Sequence, residues 1–204
     1  MYDARTRWAQ PDHPVQDGIV RRWSPYVFDQ RPVPAADIVS LFEAARWAAS
    51  SYNEQPWRYI VAAKEQVDEF PRVLSCLVEA NQGWAQHAPV LAIAVVMLNF
   101  VRNNKPNKAA FHDLGAASAS LTFEATARGL TVHQMIGIVP ERARELFAIP
   151  DGAEAFTALA IGYPGDPQHA EEKYRERDAW PRARKKLSEL VFSGTWGHPS
   201  PLVA

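Results

Sequence analysis

The residues Ser50-Ser51-Tyr52-Asn53-Glu54-Gln55-Pro56-Trp57-Arg58-Tyr59 separate two segments of different hydrophobic period. Upstream, Pro34 to Ala48 repeats Ile38, Leu41, Phe42 and Ala45 at helical spacing, with Pro34 in the first turn and Asp37 near the positive end of the dipole. Downstream, Trp57 to Ala63 reads as a strand. Between them Pro56 fixes φ and stops the helix, and the small hydroxyls and amide of Ser50, Ser51 and Asn53 let backbone lie flat against a planar ligand. A polar turn of no further consequence would have the same composition.

The alternation continues along the chain. A helix is expected over Gln66–Glu79 and a strand over Pro89–Leu98, with a turn cluster at Asn103–Asn107. From Phe111 to Ala127 the run Gly115, Ala116, Ala117, Ser118, Ala119, Ser120 has so little bulk that the helix it forms must approach other backbone closely, and Gly129 supplies its stop. Leu130–Ile138 is part strand and part loop. A short helix follows over Glu141–Phe147, with Pro140 in the position that lacks an N–H partner, and then a strand over Phe156–Gly162. Gln168–Asp178 is highly charged and reads as a solvated helix or loop. Residues 1–18 are expected to form a polar N-terminal arm. Residues 188–204 carry Val191, Phe192, Trp196 and Leu202 among Gly and Pro, a tail that rarely packs on itself and so wraps the body or reaches a partner chain.

With 204 residues the chain fits one domain with arms, here a body over 19–187. Its 22 Lys+Arg and 23 Asp+Glu give a formal charge of −1, so no global basic field favours nucleic acid or an acidic membrane. The single Cys76 excludes an internal disulfide, suits a cytoplasmic location, and sits among Val73, Leu74, Leu77 and Val78 as a packing thiol. The N-terminal segment lacks the apolar core of a secretory signal, and the run from Pro89 to Leu98 is too short to span a bilayer. The histidines lack ligand spacing, so no metal site is expected, and Ser50 and Ser51 lack the serine-hydrolase elbow.

Two basic elements remain. Arg22 and Ser24 lie near the start, and Arg182 and Arg184, two apart, face one way on an extended segment. A phosphate monoester suits guanidinium forks backed by a hydroxyl, whereas each arginine taken alone is an ordinary solvated group. Neither a Gly-x-Gly-x-x-Gly turn nor a Walker loop is present, so any phosphate site is built by arginines.

Taken in order, Arg22-Trp23-Ser24-Pro25, the Ser50–Tyr59 loop, Asn81-Gln82-Gly83-Trp84, Met135-Ile136-Gly137 and Arg182-Ala183-Arg184 resemble the nitroreductase family of flavin-dependent oxidoreductases, from about Ile19 to Gly197. The resemblance implies an α+β fold, a mostly antiparallel sheet wrapped by helices, in an intertwined homodimer with FMN at the interface. It implies that Arg22, Ser24, Arg182 and Arg184 close on the FMN phosphate and that Asn81 faces the flavin pyrimidine edge. The Ser50, Ser51 and Asn53 loop would come partly from the other subunit, and the backbone at Ile136 and Gly137 would contact N5. The implied chemistry is hydride transfer from NADH or NADPH through the flavin to an electron-poor small-molecule acceptor, by a ping-pong sequence without an obligate side-chain acid or base.

Three features depart from the family pattern. Tyr26 stands where many members carry a base near the flavin O2 and N1 edge, and Trp23 replaces a second basic residue. Gly137-Ile138-Val139 in place of Gly-Phe-Asp removes an N-cap from the helix that follows. A specialised reductive dehalogenase or flavin-fragmenting enzyme, a flavin-binding redox sensor without turnover, and an anion-binding module are the alternative readings.

Overall fold

The computed structural model describes residues 4–203. Five strands form one sheet: β1 (Phe28–Asp29), β2 (Trp57–Ala63), β3 (Val90–Met97), β4 (Thr131–Met135) and β5 (Ala153–Pro164). Every pairing is antiparallel. The order β1-β5-β3-β2, with β4 also on β5, makes β5 the strand that joins the others. β3 is an unbroken apolar run because both of its faces are covered. Leu91, Ile93 and Val95 point to one core, and Val90, Ala92, Ala94 and Val96 to the other.

The second core lies under α2 (Ala35–Arg46) and α5 (Ala110–Ala127), through Leu41, Ala45, Leu114, Ala117 and Leu121. The small residues of α5 let it lie close to α2 and the sheet, as its composition requires. The first core is covered by α3 (Glu69–Leu74), α4 (Glu79–Ala85), α6 (Pro140–Phe147) and α7 (Glu172–Ala179), through Phe70, Val73, Trp84, Ala143 and Tyr174. Cys76 is fully buried there, and burial raises its thiol pKa, consistent with a packing role. The α+β fold is as expected.

Several local expectations need correction. The helix expected over Gln66–Glu79 shortens to α3; α4 starts only at Glu79, and in the segment between them Leu77 bridges to Ile138. The third apolar strand begins earlier, at Ala153, and bulges at Phe156: Ala94 pairs with Thr157 and Val95 with Ala155. The extra residue reverses the facing pattern, which is why Ala153 and Ala155 share a core with Ala158 and Ala160. Gln168–Asp178 is not simply solvated, since α7 buries Tyr174 and Asp178. A five-residue helix α1 (Asp17–Arg21) precedes the basic turn, and the arm docks on it through Ala9 N–H to Val20 O at 2.8 Å. The C-terminal tail does fold on itself: Phe192 bridges to Pro199 and its ring lies 5.2 Å from that of Trp196, which stays exposed. Among the described residues, no helix is long and apolar enough to cross a membrane, and no cluster of His, Cys, Asp and Glu could hold a metal ion.

Candidate functional site

The basic turn begins where α1 ends. Arg22 caps α1 through its N–H to Gly18 O, leaves in extended conformation, and donates from Nη1 to Ser24 Oγ at 3.2 Å. Trp23 between them is buried, with the Arg7 guanidinium 5.5 Å from its ring. Arg22, Trp23 and Ser24 line a cavity of about 240 Å³ together with Arg7, Arg177, Asp178, Trp180, Arg182 and Arg184. The two sequence elements, 160 residues apart, therefore meet.

Their side chains do different things. Arg182 donates from Nη1 to Arg7 O (2.7 Å) and Val20 O (3.2 Å) and from Nη2 to Arg22 O (2.7 Å). It ties three backbone carbonyls together. Arg184 is exposed and donates only to its neighbour Ala183 O. Burial, then Arg22, Arg184 and Arg7, bring the Arg182 pKa down to about 10, and burial followed by Arg184 lowers that of Arg22. Part-buried guanidiniums close to one another each disfavour the other's charge, and an anion among them would offset that repulsion.

On the other side of Arg22 and Ser24 a second cavity of about 260 Å³ is lined by Ala119, Thr122 and Phe123 of α5 and by Val132 and Gln134 of β4. Gln134 is anchored by its Nε2 to Thr122 Oγ1 (2.9 Å) and Ser118 O (3.2 Å). Two residues further along, Ile136 is 71% exposed, an unusual state for isoleucine at a strand end. A pocket of mixed lining on β4 and an open apolar residue just past its end thus lie in succession.

Gly137 follows, and Asn81 of α4 reaches it. Asn81 Nδ2 donates to Gly137 O at 3.0 Å while its Oδ1 accepts from Trp84 Nε1 at 3.3 Å, which fixes the orientation of the amide. A Cβ at Gly137 would collide with Asn81 Nδ2 and Val78 Cγ2, so glycine is required by close approach. Val139 precedes α6 without a side-chain cap, as its sequence implies.

The Ser50–Asn53 loop lies elsewhere. It enters β2, whereas Gly137 leaves β4, three strand spacings or about 14 Å across the sheet. Within one chain it does not join the other groups. Its backbone is held by Ser51 N–H to the buried Asp113 Oδ2 (3.0 Å) and Gln55 N–H to Ser50 Oγ (3.0 Å). Tyr52, Asn53 and Gln55 have φ of 55°, 54° and 52°, in the left-handed region that residues with a Cβ adopt uncommonly.

Tyr26 is not among the residues that line the basic cavity. Its ring packs edge-on against His133 (4.7 Å) and Trp84 (5.2 Å) and stacks on Tyr174 (6.3 Å). It lines a separate cavity of about 500 Å³ with Phe28, His87, His169 and Tyr174. His133 donates from Nδ1 to Pro25 O (2.8 Å), and burial lowers its pKa.

Sequence reasoning missed three contributors. Arg7 lies in the arm, donates to Trp180 O at 2.6 Å, and has a buried Nε without a hydrogen-bond partner. Gln134 carries no motif. Asp178 sits in a charged stretch but is 4% exposed and accepts the Tyr26 N–H (2.8 Å) and Val27 N–H (3.2 Å). Burial, opposed by these two bonds and by Arg7, raises its carboxyl to about 6.

Residues 19–163 match the model of the nitroreductase family, a span that stops short of Asp178, Arg182 and Arg184. A solved structure described as an oxidoreductase containing FMN superposes with a TM-score of 0.86 at 34% identity, over 92% of this chain and 95% of that one. An uncharacterized 15.4 kDa protein of Mycolicibacterium smegmatis is 36% identical over 66% of this chain and 90% of its own length. The major NAD(P)H-flavin oxidoreductase of Aliivibrio fischeri is 28% identical over 88% of this chain and 98% of its own.

Proposed function

The chain belongs to the nitroreductase family, and from that premise we propose that it is an FMN-dependent oxidoreductase that draws hydride from NADH or NADPH and delivers it to an electron-poor small molecule such as a nitroaromatic or quinone. The observation that carries this reading is the set of crowded, part-buried arginines around one cavity, continuous through Arg22 and Ser24 with the pocket on β4. A phosphate dianion would relieve their mutual repulsion. A ribityl chain would run past Gln134, and the ring would cover Ile136 and reach the Asn81 and Gly137 backbone. The bound flavin supplies the two-electron chemistry.

The chain's own part is to hold, orient and shield. Arg22, Ser24 and Arg184 bind the phosphate, with Trp23 as the buried floor of the turn. Asn81 supplies a polar edge and fixes the strand end at Gly137, whose N–H is free of any acceptor among the described residues. Ser50, Ser51 and Asn53 complete the site from a second copy, because their own chain holds them too far from it. The stripe Phe111, Gly115, Ala119 and Phe123, spaced four apart on α5 and exposed except for the half-buried Ala119, is the surface offered for that pairing. The body is 19–187, the arm is 1–18, and the tail from 188 embraces the partner with Trp196. Tyr26 is assigned to packing beside the site.

The test is titration of the purified chain with FMN and riboflavin, followed by flavin fluorescence. FMN should bind much more tightly, and FMN-loaded protein should oxidise NADH or NADPH only when an acceptor is supplied. Equal affinity for the two flavins would remove the phosphate role.

A further inference from the structure

Asp178 is a carboxylate lining a cavity that otherwise presents five arginines, where a phosphate anion is proposed to bind. Direct electrostatics makes it unfavourable there, since like charges repel across a part-buried site. Yet both its oxygens are committed, Oδ1 to Tyr26 N–H and Oδ2 to Val27 N–H, and the side chain is almost wholly buried. Those two N–H groups close the same turn that carries Arg22 and Ser24. The other side of the turn is held by Arg182 through Arg22 O and Val20 O. Asp178 and Arg182 come from one short C-terminal segment, and together they satisfy backbone donors on one flank and backbone acceptors on the other.

We propose that Asp178 is a positioning residue for the flavin phosphate: it fixes the Arg22–Val27 turn so that Arg22 and Ser24 face the cavity, with Arg182 as its counterpart and Arg184 left as the C-terminal arginine that meets the phosphate. This rests on the assignment of the arginine cavity to the FMN phosphate. The basic-x-Arg element is then one clasp and one ligand. The charged groups that face Asp178 are Arg7, from the arm, and the other arginines of the cavity, Arg22, Arg177, Arg182 and Arg184. None of them makes a hydrogen bond to its carboxylate, whose acceptors are filled by backbone.

Positioning and charge predict opposite signs. Removing a negative charge beside a phosphate site tightens FMN binding if charge is all that Asp178 contributes. Asp178→Asn keeps one acceptor and turns an N–H donor toward another N–H, so the turn loosens. The full-length wild type and D178N are titrated with FMN and with riboflavin. The expected result is FMN binding weakened about ten- to a hundredfold in D178N, the loss of one charge-assisted contact, with riboflavin affinity unchanged. FMN affinity equal to or tighter than wild type overturns the inference, as does an equal loss for both flavins. If D178N does not fold, Asp178→Glu decides by the same criteria, because it retains the charge but displaces the acceptors by one methylene. A wild type that does not distinguish FMN from riboflavin removes the phosphate site, and this inference with it. A discriminating wild type beside an unaffected D178N removes the positioning role alone.

Discussion

The Arg182 guanidinium lies 2.7 Å from the carbonyl oxygen of Arg22, so the residue that sequence pattern pairs with phosphate is bonded to the backbone of the residue it was expected to assist. Arg184, two positions on, has only the carbonyl of Ala183 as a partner. Substituting each by alanine should therefore have different consequences. Arg184→Ala should weaken FMN about ten- to a hundredfold with little change in melting temperature, as expected for a lost charge-assisted contact. Arg182→Ala should lower stability by about 1.5–3 kcal/mol even without flavin, because three carbonyls lose a charged donor. Thermal melts and flavin titrations of both variants check this, and identical behaviour of the two would defeat it.

Gly137 and Gly115 should respond oppositely to added bulk. At Gly137 a methyl group meets Asn81 and Val78, so Gly137→Ala should destabilise by about 1–3 kcal/mol and lower flavin affinity. At Gly115 a Cβ meets nothing within 4 Å in the single chain. A larger side chain there, Gly115→Leu, should leave each chain folded while reducing the dimer fraction, because the stripe on α5 is the proposed pairing surface. Light scattering together with circular dichroism decides it, and a fully dimeric G115L would place the pairing surface elsewhere.

Much of the architecture could be read from periodicity. Trp57–Ala63 is a strand over the predicted residues, and α2, β3, α5 and α6 begin and end within two residues of expectation. These segments are long or strongly patterned, so local preference and burial agree. Failures have a common cause in long-range contacts that override local signal. The two residues of β1 form a strand only because β5 lies beside them, and between α3 and α4, where a helix is expected, Leu77 meets Ile138. In the candidate site, the residue types around the basic turn were legible, but their division of labour was not. A charged run such as Gln168–Asp178 looks solvated whether or not one of its carboxylates turns inward to bind backbone.

Tyr26 illustrates the same limit. Read as a substitution for a base beside the flavin, it should set the reduction potential. Its ring packs among His133, Trp84 and Tyr174, with the Arg177 guanidinium 5.2 Å from its ring. Placing arginine there would put a second cation among aromatic rings already facing one. Tyr26→Arg should therefore destabilise the protein by about 1–3 kcal/mol, the scale of forcing an ill-fitting side chain into a packed, partly buried position. A variant that melts like wild type and carries flavin at a higher potential would restore the electrostatic role.

Changing pH separates the stability contribution of Asp178 from its effect on binding. Its carboxyl titrates at about 6 in the folded chain against an ordinary value of 3.8, because burial outweighs the two backbone bonds and Arg7. Between these values the folded state holds a proton that the unfolded state does not. Linkage then gives the sign: stability from this group is fully present below pH 3.8 and is lost as pH rises through about 6. Wild type should gain stability relative to D178N as pH falls from 7 to 4, in urea denaturation without added flavin. The clasp moves the other way, since protonation removes the charge that strengthens both bonds and turns one of the two oxygens into a hydroxyl, a weaker acceptor for the Tyr26 or Val27 N–H. FMN retention should accordingly fall with acidification more steeply in wild type than in D178N, beyond the loss both share as the FMN phosphate itself takes up a proton. A wild-type minus D178N stability difference that is flat from pH 7 to 4 would show that the buried carboxyl does not titrate in this window.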